Sequence, residues 1–235
     1  MEEAEFDKFA AEYRTLHAES IRASGESPEY FAEYKIVDVA RELQRRRPGR
    51  APPAVLDFGA GVGYSVPFFA RHLPGSRVTC LDVSRQSLEL GASKHGGTAE
   101  FRHFDGRRIP FEPGTFDVAL ASCVFHHIGH DEHVALLAEI RRVLADDGLL
   151  LVFEHNPLNP LTRQAVNSCV FDEHAELMLA PTMRRRVLAA GFATADVRYR
   201  IFFPHFARAL RPLEKWLTWL PLGAQYYVVA GKKVA

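Results

Sequence analysis

The sequence lacks the features that mark secreted, membrane-spanning and disulfide-stabilised proteins. It has three cysteines, Cys80, Cys123 and Cys169, which are odd in number and form no Cys-x-x-Cys pair, so they fit a reducing compartment better than a disulfide or zinc framework. No apolar run approaches the roughly 20 residues that cross a bilayer. The first residues are acidic rather than basic and then apolar, so no secretion signal is expected. These absences predict a cytoplasmic protein without a membrane partner.

The sequence also lacks a net charge. Lysine plus arginine number 29, and aspartate plus glutamate also number 29. A balanced chain has no global attraction to a nucleic-acid backbone, so no nucleic-acid partner is expected. The 235 residues, of which 47% are hydrophobic, are enough for one sizeable core. Eleven histidines are the one unusual feature of the composition and need a local explanation.

The chain divides into an N-terminal helical arm and an alternating α/β body. Residues 1–50 are predicted to form the arm, or lid, because Ser27 and Pro28 are typical of a helix start and Pro48-Gly49 of its end. In residues 51–235, short apolar runs alternate with helical segments, which predicts a Rossmann-like, doubly wound α/β fold with a mostly parallel sheet. Strands are predicted at 55–58, 77–81, 100–104, 116–122, 149–153, 196–203 and 225–231, and helices at 64–72, 85–94, 131–145, 161–169 and 181–190.

A glycine loop follows the first predicted strand. Gly59, Gly61 and Gly63 allow a tight turn and a close approach of the backbone to a nucleotide-like ligand. Tyr64 stands where the dinucleotide fingerprint would need a third spaced glycine, and the Asp57 carboxylate would repel a pyrophosphate. A carboxylate at this position instead suits a ligand that carries an ammonium group. A nicotinamide dehydrogenase is therefore disfavoured.

Further polar residues follow the next strands in order. Asp82, with Val83 after it, ends the second strand about 20 residues beyond the glycine loop, where a carboxylate can accept hydrogen bonds from both ribose hydroxyls. Asp105-Gly106 follows the third strand, and Ser122 ends the fourth. Asp57 suits a positively charged group and Asp82 suits a ribose, so both together indicate a cofactor that carries a ribose and a positive charge.

These motifs, in this order over residues 54–155, resemble the class I S-adenosylmethionine-dependent methyltransferases. The resemblance implies S-adenosylmethionine as the cofactor and a seven-stranded sheet with an antiparallel last strand. It implies that Asp57 and the glycines hold the methionine part, that Asp82 binds the ribose and that Asp105 binds the adenine amino group. The implied cofactor contacts are Tyr13, Asp57, Gly59, Gly61, Gly63, Asp82, Val83, Asp105, Gly106, Ser122 and His127.

Each of these positions also has a purely structural interpretation. The glycines could only turn the chain, Asp82 could be a helix N-cap, and Asp105 could be a loop carboxylate. Asp117 also competes for the Asp105 role, but it begins its strand, away from the edge where such sheets bind ligands, and is interpreted as structural.

Two histidines are candidate catalytic residues. His127 follows the fourth strand and His155 the fifth, and neighbouring strand ends converge on the ligand crevice. An imidazole near its ordinary pKa of about 6.5 could take a proton from an acceptor hydroxyl or amine. Packing beside the cofactor is the alternative for each.

The run of histidines at 126, 127, 130 and 133 also suggests a metal site, but none is expected. Asp131 is interpreted as the cap of a helix, which would place His130 and His133 on its first turn in solvent.

The acceptor should be recognised where the chain departs from the repeating core, at the arm with Phe9 and Tyr13 and at insertions 156–180 and 204–224. Asp172, beside Glu173 and His174, could be a second base or a clamp for a polar substrate, or part of an exposed loop. Seven aromatic side chains could line an acceptor pocket, form core or make a homodimer contact, and the sequence leaves this open. They are Phe202, Phe203, Phe206, Trp216, Trp219, Tyr226 and Tyr227.

The expected function is methylation of oxygen or nitrogen in a small biosynthetic molecule. Use of the same cofactor site for another chemistry, such as cyclisation, and a non-catalytic cofactor-binding subunit remain the alternatives.

Overall fold

The fold is described from a computed structural model for residues 19–233, apart from the side chains of Ala23 and Phe171. Phe9 and Tyr13 lie outside the described residues. The strands are β1 (Ala54–Phe58), β2 (Arg77–Asp82), β3 (Ala99–His103), β4 (Phe116–Ser122), β5 (Leu144–His155), β6 (Thr194–Arg200) and β7 (Gln225–Gly231). The helices are α1 (Pro28–Arg46), α2 (Val66–His72), α3 (Arg85–His95), α4 (His133–Val143), α5 (Pro160–Asn167), α6 (Ala180–Ala189) and α7 (Glu214–Leu217). Short 3₁₀ segments lie at Arg22–Ser24, Phe125–His127, Val170–Asp172 and His205–Leu213.

The seven strands form one sheet in the order β3-β2-β1-β4-β5-β7-β6. Strands β1 to β5 pair in parallel, and β7 runs antiparallel to both of its neighbours, so the predicted Rossmann-like fold is confirmed. Phe58 at the end of β1 is in register with Leu81 on one side and Ala121 on the other. The strand order reverses at β1, which is where open sheets of this kind bind ligands.

Helix α1 begins as predicted from the sequence. The Ser27 side chain accepts a hydrogen bond from the Tyr30 backbone N–H, and Pro28 occupies the first helical position. Its buried face carries three charged residues. Asp38 accepts from Arg200 at 2.6 Å and Glu42 from the Tyr227 hydroxyl at 3.1 Å, which ties α1 to β6 and β7. The third, Lys35, lies at the ligand crevice.

The sheet has a hydrophobic core on each face. One core lies under α1 and α2 and includes Phe31, Ile36, Val39, Phe69, Val118, Leu151 and Phe153. The other lies under α4 and α6 and includes Phe58, Leu137, Ile140, Val152, Met183, Val187 and Tyr226. Helices therefore cover both faces, which explains the nearly continuous apolar strands. Within residues 19–233, no helix combines the length and apolarity that crossing a bilayer requires.

Some element boundaries differ from the predicted ones for identifiable reasons. Strand β5 begins at Leu144, which pairs with Phe116, and runs on through residues 145–148 although these are poor strand-forming residues and 146 and 147 are exposed. Strand β6 ends at Arg200 rather than 203, since Ile201 takes a positive φ of 62° and bends the chain. Helix α4 begins two residues later than predicted and has no side-chain cap.

Candidate functional site

The glycine loop lines a cavity at the carboxyl ends of β1, β2 and β4. Gly59, Gly61 and Gly63 all have positive φ, from 52° to 72°. A β-carbon on Gly59 would lie 2.5 Å from a Val124 methyl, and one on Gly63 would lie 2.9 Å from the Phe101 ring. A β-carbon on Gly61 would meet nothing within 4 Å. The outer two glycines thus permit close packing, while the middle one faces open space that a ligand can fill.

Asp57 places an unsatisfied carboxylate oxygen in this cavity. Its side chain is buried, and among the described residues Oδ2 has no hydrogen-bond partner. Burial raises the pKa of Asp57 to about 7, against the opposing effect of the Lys35 ammonium. A buried unpaired carboxylate is costly, and an ammonium group on a ligand would supply its missing partner. The geometry therefore fits the predicted amino-acid end of the cofactor.

This carboxylate predicts a pH-dependent cofactor affinity. Only ionised Asp57 attracts an ammonium group, and the fraction ionised falls as the pH drops through about 7. Affinity for S-adenosylhomocysteine, measured by calorimetry, should be about tenfold weaker at pH 6 than at pH 8. Asp57→Asn should bind weakly with no such dependence, and equal pH slopes in the two proteins would assign the titration to another group.

Asp82 joins the glycine loop to the next strand. Its Oδ2 accepts from the Gly61 backbone N–H at 2.7 Å, and its Oδ1 accepts from the Ser84 N–H at 2.9 Å. Each oxygen keeps a second lone pair for a ligand hydroxyl. The N-cap of α3 is Ser84, whose side chain accepts from the Ser87 N–H, so Asp82 is not the cap. Asp82 lines the cavity beside Asp57.

Asp105 lies apart from these two carboxylates. It is exposed, its Oδ1 accepts from the backbone N–H groups of Arg107 and Arg108, and it is not among the cavity-lining residues. Gly106 has a φ of 77° and lies against Val83, whose Cγ1 is 3.6 Å from the position of a glycine β-carbon. Gly106 and Val83 are also outside the cavity lining. Adenine binding by this loop therefore stays a prediction.

Lys35 reaches the end of β4 from α1 and contacts two residues there. Its Nζ donates to Ser122 Oγ at 2.7 Å and lies 3.3 Å from Cys123 Sγ. Cys123 has a positive φ of 58°, which is uncommon outside glycine. Burial would raise the pKa of Cys123, but Lys35 and His155 lower it more, to about 7. The signal for Lys35 in the sequence is its place on the apolar face that also carries Phe31.

His155 extends this cluster from the end of β5. It lines the cavity, forms a hydrogen bond with Cys123, and its Nδ1 lies 3.3 Å from Gln225 Nε2. Tyr34 donates to Gln225 Oε1, which directs the amide nitrogen toward His155. An amide nitrogen only donates, so His155 Nδ1 is the acceptor of this hydrogen bond.

Asp172, from the segment after α5, lies between the two adjacent histidines. Its Oδ1 is 3.4 Å from both His126 Nε2 and His127 Nε2, and its side chain is only 11% exposed. The exposed-loop interpretation of Asp172 is therefore wrong, because the insertion folds back over the 3₁₀ segment that follows β4. Burial lowers the pKa of His127, with Asp172 acting in the opposite direction.

Buried Glu154 anchors the same 3₁₀ segment. It accepts from the backbone N–H groups of Val124 and Phe125, at 3.2 and 2.8 Å, and contacts His126 Nδ1 at 2.5 Å. Burial would lower the pKa of His126, but Glu154 and Asp172 raise it to about 10. This carboxylate, absent from the sequence-based prediction, positions His126 and its neighbours.

The predicted solvent position of His133 is wrong. His133 is fully buried, with Nε2 3.0 Å from the Ile128 carbonyl oxygen and Nδ1 2.7 Å from Arg186 Nη1 on α6. The packing of α6 against α4 covers it, and nothing near residue 133 in the sequence signals that contact. His130 is exposed and pairs with Glu176 at 3.2 Å.

The aromatic residues near the C-terminus do not form the cavity wall. Tyr226 and Tyr227 are buried in the two cores, whereas Phe206, Trp216 and Trp219 are exposed. None of the seven predicted aromatic residues lines the cavity, so the pocket interpretation is wrong. Apolar side chains that line the cavity come instead from the N-terminal region and from α5. They are Ile21, Pro28, Phe31, Ala32, Ala165 and Val166.

Known proteins share both the motif region and the fold. A family model described as a methyltransferase domain matches residues 55–148. The chain is 32% identical over 103 residues to a malonyl-(acyl-carrier protein) O-methyltransferase from Geobacter sulfurreducens, and the match covers 43% of this chain and 38% of that protein. It is 36% identical over 115 residues to a demethylmenaquinone methyltransferase from Thermobifida fusca, covering 46% and 47%. The chain thus spans less than two thirds of the length of these relatives.

Residues 55–148 form a methyltransferase domain, and the motifs in it are those of the class I S-adenosylmethionine-dependent methyltransferases. S-adenosylmethionine is accordingly its cofactor. A solved S-adenosylmethionine-dependent methyltransferase from Thermotoga maritima has the same fold, with a TM-score of 0.67 over 98% of this chain and 99% of that one, at 17% identity. The fold and family predicted from the ordered motifs are confirmed.

Proposed function

We propose that this methyltransferase transfers a methyl group to an oxygen or nitrogen of a small biosynthetic molecule. The main support is the cavity, which combines the unpaired carboxylate of Asp57 with a separate group of titratable side chains, Cys123, His127 and His155, after the ends of β4 and β5. The two named relatives act on acyl-carrier and quinone substrates, as their names state. Those substrates are consistent with a diffusible or carrier-bound small acceptor.

The two ends of the cavity have different tasks. S-adenosylmethionine supplies an electrophilic methyl group on a sulfonium sulfur, so the protein chiefly has to align the acceptor and exclude water. Asp57 and Asp82 hold the cofactor, and His127 and His155 lie on the acceptor side. Residues 19–50, through Phe31 and Lys35, cover the same space, which supports the predicted role of the arm as a lid.

His155 and Cys123 together are the proposed proton acceptor. The thiol pKa of about 7 leaves a large thiolate fraction at neutral pH, held by Lys35 and by the hydrogen bond from His155. A proton lost by the acceptor can pass to this pair through the imidazole. Gln225 keeps His155 in position for that exchange.

Replacing His155 with alanine should lower turnover at least tenfold, because proton transfer by a positioned group contributes about 10²–10⁴-fold to rates. Cofactor affinity should stay within about twofold, since Asp57 and Asp82 are intact. Steady-state kinetics and calorimetry on the same preparation measure both quantities. If His155→Ala turns over as fast as the unchanged protein at every pH from 6 to 9, the proton transfer belongs to another group.

Mass spectrometry of the product tests the function. Incubation with S-adenosylmethionine and candidate hydroxy, amino and carboxylic acids should give a product heavier by one methyl group, with one S-adenosylhomocysteine formed per product. A product of unchanged mass with no cofactor consumed would indicate cyclisation or another non-methylating reaction. Cofactor binding without turnover unless a second protein is added would indicate a non-catalytic subunit.

A further inference from the structure

We propose that His126, His127 and Asp172 bind a divalent transition-metal ion on the acceptor side of the cavity. The three side chains offer one ligand atom each, and these atoms all lie within 4.8 Å of one another. All three residues line the cavity that holds Asp57 and Asp82. Two imidazoles and one carboxylate with open positions toward a cavity are a ligand set of catalytic metal sites.

The spacing within the set fits a shared ion. Asp172 Oδ1 is 3.4 Å from each imidazole Nε2. Two ligand atoms that are each about 2.0–2.1 Å from a tetrahedral ion lie about 3.4 Å apart. A direct charge-assisted hydrogen bond would instead be about 2.7–2.9 Å long. The remaining pair, the ligand nitrogens of His126 and His127, lies within 4.8 Å, so side-chain rotation would complete the set around one ion.

The surroundings hold the first ligand as metal sites do. Glu154 contacts His126 Nδ1 at 2.5 Å and is itself held by the Phe125 N–H, so the His126 ring is fixed with Nε2 toward Asp172. A carboxylate behind a ligating imidazole fixes the ring orientation and strengthens the ligand. His126 would release its Nε2 proton to solvent when it binds the ion, and Nδ1 would keep its proton toward Glu154. His126 and Glu154 are almost completely buried, whereas His127 and Asp172 lie at the cavity surface.

The donor atoms select the kind of ion. Two nitrogen donors disfavour Mg²⁺ and Ca²⁺, which prefer oxygen, and favour Zn²⁺, Co²⁺ or Fe²⁺. The three protein ligands would leave at least one position for an oxygen atom of the acceptor. If the proposed methyl transfer is correct, the ion would bind that oxygen and lower its pKa, and His127 would hold the acceptor through the ion.

The four histidines of the run do not form the proposed site by themselves. Their spacing along the chain does not bring His130 and His133 to the cavity, and neither belongs to the set. The third ligand, Asp172, comes from the segment after α5 and meets the histidines only through the fold.

Titration of untagged, chelator-treated protein with Co²⁺ and with Zn²⁺ tests this proposal. Calorimetry should show one ion per chain, and the Co²⁺ absorption bands should report nitrogen and oxygen ligands in a low-coordinate site. His127→Ala and Asp172→Asn should each weaken metal binding at least tenfold. His130→Ala is the matched control, because His130 is exposed and outside the set, and should bind the metal as the unchanged protein does.

Thermal unfolding and S-adenosylhomocysteine binding of each variant show whether it is folded. If His127→Ala does not fold, Asp172→Asn carries the test, since asparagine keeps the size of the side chain and one oxygen acceptor. Metal affinity equal to that of the unchanged protein in a folded variant would overturn the site, as would the absence of stoichiometric binding. Metal binding without methyl transfer would remove the proposed function and leave the site. Methyl transfer by metal-free protein that fails to bind either ion would overturn the metal site and leave the proposed function.

Discussion

Replacing Glu154 with alanine is expected to lower the free energy of unfolding by about 3–5 kcal/mol, as removal of one partner of a buried ion pair does. Glu154 accepts from the Val124 and Phe125 N–H groups and contacts His126 Nδ1. Alanine would leave all three donors buried without that acceptor. Urea denaturation followed by circular dichroism measures the change.

Two further variants separate this contact from a general loss of charge. Glu154→Gln keeps an oxygen acceptor for the backbone, so it should lose less than alanine, about 1–3 kcal/mol. Glu176→Ala removes the exposed partner of His130 and should change stability by less than about 0.5 kcal/mol. A loss below about 1 kcal/mol in Glu154→Ala would mean that Glu154 does not anchor the segment Phe125–His127.

Replacing Asp82 with alanine is expected to weaken cofactor binding by about 1–3 kcal/mol, which is about 5- to 150-fold in the dissociation constant. Asp82 is buried, lines the cavity and accepts from the Gly61 N–H at 2.7 Å. The substitution removes both the proposed ribose contact and the contact that holds the middle of the glycine loop. Calorimetric titration with S-adenosylhomocysteine measures the loss.

The matched control for Asp82→Ala is Asp131→Ala. Asp131 is an exposed carboxylate outside the cavity, so its loss changes the net charge equally and should leave affinity within about twofold. Asp82→Asn keeps one oxygen acceptor, so its cofactor affinity should lie between those of Asp82→Ala and Asp131→Ala. Unchanged affinity in folded Asp82→Ala protein would exclude the ribose role.

The fold and the cofactor end of the site could be predicted because their signals are local. The apolar strand, Asp57 and the glycines at alternate positions all lie within the nine residues 55–63, so the signal for this loop can be recognised in one short stretch of sequence. The general rule that open α/β sheets bind ligands at the carboxyl ends of their strands then predicts where the site lies. Asp82 was recognisable by its distance along the chain from the loop.

The acceptor end could not be predicted, because its contacts join distant parts of the chain. Lys35 meets Cys123 across 88 positions, and Glu154 meets His126 across 28. Asp172 reaches the histidines only because the insertion folds back over the cavity. His133 was mispredicted for the same reason. Its imidazole is predicted to lie in solvent, but Arg186 on the distant helix α6 contacts it and buries it.

Calorimetric titration of the purified protein with S-adenosylhomocysteine at pH 8 tests the central claim most directly. The account predicts one binding site per chain with a dissociation constant in the micromolar range or below, weakened in Asp82→Ala and unchanged in Asp131→Ala. No binding of S-adenosylhomocysteine or S-adenosylmethionine by folded protein at ligand concentrations up to about 1 mM would contradict it.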